Sequence, residues 1–267
     1  MPELPDVETY RRFLATHATG RRIERAVVTD EGALRDVSAR TLDRALHGER
    51  FEEPGRRGKW LIAPTSGPLL LFHFGMTGHF ELGEGPDGRH RHDRVIFELD
   101  RGELRYRNMR KLGGLWMAAD DEDARHMLAA LGPDALDLDR RGFDRALAGR
   151  RGGLKAVLMN QAVVAGLGNL LVDEILWQAR LHPLRRLDTL TPEERGRLHR
   201  KVRHVVRTSV DRFDYVPSMR GWLNHVRGRP GARCPRCHTL LERTAVGGRT
   251  TWFCPTCQAA PTLEETA

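Results

Sequence analysis

The segment Cys234-Pro-Arg-Cys237, sixteen residues, then Cys254-Pro-Thr-Cys257 contains every cysteine of the 267-residue chain. Two C-x2-C knuckles at this separation supply four thiolates for one tetrahedral Zn2+, with a β-hairpin between the pairs. Four ligands leave no open coordination position. The zinc is therefore expected to be structural, contributing folding energy to a segment too small to bury a core. In a reducing compartment, four clustered thiols also argue for metal rather than disulfides. From Arg227 to Cys257 there are six arginines (227, 229, 233, 236, 243, 249) against one acid, Glu242, a local net of +5. A ribbon this basic suits phosphate contact, although a metal-stapled module with a solvated cationic face has the same composition.

Upstream of the finger the pattern is helical. Thr191, Pro192 and Glu194 form an N-cap, first position and capping box for a helix over Pro192 to Val210. Leu170 to Ala179, Gly153 to Val163 and a segment opening at Asp120 and closed by Gly132-Pro133 read as further helices. Before Asp120 the chain shows short strand-like runs: Arg22 to Val28, Lys59 to Ala63, Leu69 to Phe74, Val95 to Leu99 and Leu104 to Arg107. One helix precedes them, with Leu4, Val7, Tyr10, Phe13, Leu14 and His17 at helical spacing and Gly20 as its stop. Strands followed by helices predict an α+β protein. The expected boundaries are a β-rich domain over 1–118, a hinge over 119–135, a helical domain over 136–226, the finger over 227–258 and a tail over 259–267. There is no internal repeat.

Lys and Arg number 44 against 36 Asp and Glu, a net of +8, which favours an anionic partner. No apolar run approaches the ~20 residues that cross a bilayer, and Met1-Pro-Glu-Leu-Pro lacks the layout of a secretory signal. The expectation is a cytoplasmic protein without a membrane partner.

Two further signals concern chemistry. In Gly166-Leu-Gly168-Asn169 a helix runs into a tight turn and a new helix begins, so unpaired backbone N–H groups could seat a phosphate. The same glycines also suit a plain connection between helices. At the start of the chain, removal of Met1 would leave Pro2 as a free secondary amine. With an α-amino pKa near 8, roughly a tenth of it is a neutral nucleophile at pH 7. Glu3 is the adjacent acid/base group.

Taken together, Met1-Pro-Glu-Leu-Pro-Asp-Val-Glu-Thr, Arg57-Gly-Lys59-Trp-Leu, His73-Phe-Gly-Met76-Thr-Gly, Asn169 with Asp173-Glu174, and the four-cysteine finger carrying Arg249 resemble the formamidopyrimidine-DNA glycosylase/endonuclease VIII family. The likeness runs in order from residue 1 to about 258. It implies an N-terminal β-sandwich flanked by helices, then a helix-two-turn-helix domain with a zinc finger, and DNA held between them. It also implies a bifunctional DNA glycosylase/AP lyase of base excision repair, with Pro2 as Schiff-base nucleophile, Glu3 moving protons and Lys59 assisting at a phosphate, the strand then being cut by β,δ-elimination. By the same likeness Asn169, Arg249 and Lys155 grip phosphates, and Met76, Arg110 and Leu112 fill the gap left by an extruded nucleotide. The implied partner is double-stranded DNA with damaged bases or abasic sites, bound by a monomer in the bacterial nucleoid.

The sequence departs from the family pattern at several places. Asp6 replaces the usual Glu, Leu171 a common Tyr, and Asn108-Met-Arg-Lys-Leu112-Gly a motif with an aromatic wedge. A leucine offers no ring face to stack under a base. Only Asp211 to Val226 separates the last long helix from the finger, which looks too short for the loop that caps a flipped oxidised purine. Weak 8-oxoguanine preference is therefore expected. A zinc-ribbon protein that binds damaged, gapped or abasic DNA without cutting is the other reading, and an RNA- or ribosome-associated ribbon leaves the N-terminal motif unexplained.

Overall fold

The computed structural model describes residues 2–212 and 219–260. Met1, the part of the predicted short loop over 213–218, and residues 261–267 of the predicted tail lie outside the described residues. The chain forms two compact units: Pro2 with Asp6–Ala130, and Glu3–Pro5 with the chain from Leu131 onward.

The first unit contains helix α1 (Leu4–His17) from Asp6 onward, strand β1 (Ile23–Val28), helix α2 (Ala39–Leu46), strands β2 (Gly55–Arg57), β3 (Trp60–Pro64), β4 (Leu69–His73), β5 (His79–Gly83), β6 (Asp93–Leu99), β7 (Glu103–Arg107) and β8 (Gly114–Ala118), and helix α3 (Asp121–Met127). Two four-stranded sheets form, ordered β1-β6-β7-β5 and β2-β3-β4-β8. All their paired strands are antiparallel. They share one apolar core with Val7 and Leu14 of α1 and Leu42 and Leu46 of α2. This is the expected β-sandwich flanked by helices. At its centre Phe72 meets Phe80 at 5.1 Å and Tyr106 at 5.4 Å, both edge to face, the geometry favoured by ring quadrupoles.

Strand register decides which loops meet. Trp60 pairs with His73, and His73 pairs with Gly114. Lys59, the β4–β5 loop and the β7–β8 loop consequently leave the sheet at the same end. Gly75 allows the two loops to touch: it has φ +61, and a Cβ there would lie 2.6 Å from Gly113 N.

The second unit contains α4 (Arg140–Leu147), α5 (Leu154–Met159), α6 (Asn169–Ala179), α7 (Pro192–Arg212), α8 (Leu223–Val226) and the finger hairpin β9 (Glu242–Val246) and β10 (Arg249–Phe253). Buried residues from α4 to α7 and Leu4 make its core. The α7 capping box is present as predicted: Glu194 N donates to Thr191 Oγ1 at 3.2 Å and Thr191 N to Glu194 Oε2 at 3.0 Å. The helix expected over Gly153 to Val163 stops at Met159, because Asn160 turns extended and its side chain caps Ala162 N instead. Among the described residues no helix is long and apolar enough to cross a membrane.

Candidate active site and nucleic-acid interface

Glu3 is 3% exposed, and its carboxylate is fully engaged. Leu170 N donates to Oε1 at 2.9 Å and Leu171 N to Oε2 at 3.0 Å. These amides belong to the first turn of α6, where no carbonyl inside the helix can reach them and the helix dipole favours an anion. Gly168 is required for the approach, since a Cβ there would lie 2.2 Å from the Glu3 carboxyl carbon. Leu4 N donates to Gly166 O at 3.1 Å on the same turn. The anion seat read from Gly166-Leu-Gly168 therefore exists, but the protein's own Glu3 occupies two of its amides. Half-buried Pro2 is covalently next to this fixed carboxylate.

Asn169, the first residue of α6, donates from Nδ2 to Thr250 O at 3.0 Å. Its Oδ1 is buried and has no hydrogen-bond partner among the described residues. Thr250 follows Arg249, the exposed first residue of β10, whose guanidinium has no ion-pair partner among the described residues. The bond from Asn169 thus ties the helix start to the strand that carries Arg249.

Lys155 corrects the expectation that it reaches phosphate. It is wholly buried, its Nζ 2.5 Å from Asp173 Oδ1 and 2.6 Å from Thr251 Oγ1. Burial pushes the Lys155 ammonium below and the Asp173 carboxyl above their ordinary pKa values, and each opposes the other's shift. Arg227 Nη2 at 3.0 Å and Trp252 N at 3.2 Å hold the other Asp173 oxygen. The sequence reading missed this hub, for which the only local signal was Asp173 one turn after Asn169.

In the first unit, Lys59 sits in the β2–β3 turn after Gly58 (φ +59) and is 8% exposed. His73 lies below the ordinary imidazole pKa, chiefly because it is buried and secondarily because the Lys59 charge is near. At the same sheet end Met76 is 38% and Leu112 56% exposed, and Arg110 Nη1 is 3.1 Å from Met76 Sδ. Asn108, fully buried, links the loops: Oδ1 accepts from Thr77 Oγ1 and Lys111 N, each at 3.0 Å, and Nδ2 donates to the Tyr106 hydroxyl. The three residues expected to fill a gap in DNA are thus brought together.

The four cysteine sulfurs lie within 4.8 Å of one another. Cys237 is 3.4 Å from both Cys254 and Cys257, and Cys234 is 3.9 Å from Cys257. With Zn–S near 2.3 Å a tetrahedron has edges of roughly 3.8 Å, so the set fits zinc. Trp177 Nε1 of α6 donates to Cys234 Sγ at 3.3 Å, and Arg236 stacks 4.3 Å from the centre of that indole.

Residues 1–115 match the formamidopyrimidine-DNA glycosylase N-terminal domain, 131–215 its H2TH domain, and 231–260 the zinc finger found in this enzyme and in isoleucyl-tRNA synthetase. The chain belongs to the formamidopyrimidine-DNA glycosylase family. A formamidopyrimidine-DNA glycosylase of Symbiobacterium thermophilum is 40% identical, the match covering 98% of this chain and 90% of that one. One from Laribacter hongkongensis is 38% identical over 97% of this chain and all of its own. The Lactococcus lactis formamidopyrimidine-DNA glycosylase bound to DNA containing an abasic site superposes with a TM-score of 0.89 at 30% identity, covering 97% of this chain and 100% of that one. Members of the family are bifunctional DNA glycosylase/AP lyases, and the chain is an enzyme of this class, with one structural zinc in its finger.

Proposed function

We propose that the chain excises oxidised bases from duplex DNA through a Schiff base on Pro2 and then cuts the strand at the abasic site. The observation that carries this reading is the Glu3 carboxylate held on the first-turn amides of α6, one residue from Pro2. With Met1 removed, the Pro2 nitrogen attacks C1′ of the damaged nucleotide, and the glycosidic C–N bond breaks with its electrons leaving on the base, which takes a proton. Glu3 takes the proton that the Pro2 nitrogen sheds after attack and passes it to the ring oxygen as the sugar opens, leaving an iminium at C1′. The iminium acidifies the C2′ proton. Its loss expels the 3′ phosphate, and loss of the C4′ proton then expels the 5′ phosphate.

Around this chemistry Lys59, Asn169 and Arg249 grip phosphates, while Met76, Arg110 and Leu112 fill the space of the extruded nucleotide. Enclosed Lys59 supports a contact at the reacting nucleotide, and exposed Arg249 one at the flanking backbone. The enzyme acts as a monomer at the nucleoid. Its activity on 8-oxoguanine is weak, on the shortness of the segment between α7 and the finger. Single-turnover cutting of an abasic duplex, with intact mass to establish loss of Met1, tests the reading. A chain that retains Met1 has an amide nitrogen at Pro2 and must leave the duplex intact.

A further inference from the structure

Leu112 is flanked by two peptide carbonyls that a single guanidinium captures. Arg35 Nη2 donates to Lys111 O at 3.2 Å and to Gly113 O at 2.6 Å. Its Nη1 donates to Gly32 O and Leu34 O, each at 2.8 Å, so the group is anchored on its own side as well. Arg35 N donates to Leu115 O at 2.9 Å, which fixes the backbone from which the side chain starts. Gly114 clears the path, because a Cβ there would lie 2.9 Å from Arg35 Cγ.

A second tie acts on the same loop. Lys111 has φ +52, a left-handed conformation that a non-glycine residue holds only when its surroundings impose it. Lys111 Nζ is 2.9 Å from Asp30 Oδ2, and Arg94 Nη1 reaches the same oxygen at 3.0 Å. Arg94 Nε in turn donates to Asn108 O at 2.8 Å, at the start of the loop. Between these ties the Leu112 side chain is left 56% exposed.

We propose that Arg35, supported by Asp30, is a positioning residue for base extrusion, clamping the two carbonyls that flank Leu112 so that this side chain stands out as a rigid wedge. The inference rests on the wedge role given to Leu112 above. A wedge must enter the stack and pay for unstacking, so a loop ordered beforehand avoids paying for its own ordering as well. The clamp uses the planar guanidinium of arginine, whose two Nη groups hold two carbonyls each, four acceptors that the three donors of a lysine ammonium cannot all satisfy. It also explains how an aliphatic residue could serve in this place, since rigidity supplied by the backbone makes up for the missing ring.

The test is a double-mutant cycle read by single-turnover excision of a formamidopyrimidine lesion from duplex DNA. Leu112→Ala and Arg35→Gln are each expected to slow excision about tenfold. The double variant should be no more than about twofold slower than Leu112→Ala, because Arg35 acts through Leu112. A 2-aminopurine beside the lesion should lose its fluorescence rise in the same three variants. A wild-type rate for Arg35→Gln, or losses that multiply to about a hundredfold in the double variant, overturns the clamp. A wild-type rate for Leu112→Ala instead removes the wedge reading and the clamp with it. Should Arg35→Gln fail to fold, Arg35→Lys and Asp30→Asn enter the same cycle, and multiplicative losses there count equally against the proposal.

Discussion

Lys155 Nζ lies 2.5 Å from Asp173 Oδ1, and neither side chain reaches solvent. The pair is the buried knot that fastens α5 and α6 to the finger strand β10 through Thr251, Trp252 and Arg227. Its charges are compensated inside the protein, whereas Arg249 is exposed at the start of β10. Lys155→Ala should therefore destabilise the fold by about 3–5 kcal/mol, the cost of stranding a buried partner charge. In folded protein it should leave the salt dependence of DNA binding unchanged, whereas Arg249→Ala should reduce the slope of log K against log salt by about 1. Urea melts and binding titrations at several salt concentrations check both.

Glu174 makes stability depend on pH. Burial pushes its carboxyl up to about 7, against hydrogen bonds from Gln178 Nε2 and from Asn224 N and Nδ2 that favour the charged form. A folded pKa above the unfolded value means that the fold prefers the protonated acid. The contribution is present in full below the unfolded value of 4.5 and is lost as pH rises to about 7. From pH 4.5 to 8, wild-type stability should fall relative to Glu174→Gln by about 3 kcal/mol. Denaturant melts of both proteins across that range give the answer, and a constant difference would refute it.

Zinc removal should release the finger hairpin and with it the placement of Arg249. Chelation, or Cys254→Ser, should change Trp177 fluorescence, since its indole donates to Cys234 Sγ, and should weaken DNA binding at least tenfold. Zinc restored in excess should recover both signals in the wild type.

Much of this was legible where the physics is local. The cysteine spacing carried the zinc site, and Thr191 with Glu194 carried the start of α7. Short elements escaped: α2 and α4 are eight residues each, capped by Ser38 and Asp139, and β2 is three residues long. Contacts distant in sequence escaped as well. Nothing near Lys155 announces Asp173 and Thr251, nothing near Gly168 announces that Glu3 fills the helix start, and Arg35 reaches Lys111 and Gly113 only because Leu34 bridges to Leu115.

The proposed weakness on 8-oxoguanine rests on the length of the sequence between α7 and the finger. Excision of 8-oxoguanine opposite cytosine should be markedly slower than excision of thymine glycol from an otherwise identical duplex. Parallel single-turnover assays decide this, and robust, selective 8-oxoguanine excision would show that the short segment does not limit the pocket.

The central claim is that the Pro2 nitrogen forms a covalent bond to the sugar. Borohydride reduction during reaction with abasic-site DNA tests it most directly. The wild-type protein should yield a stable protein–DNA adduct that maps by mass to Pro2, and blocking the amine should abolish it. No adduct from the wild type, or an undiminished adduct from the blocked protein, would contradict the account.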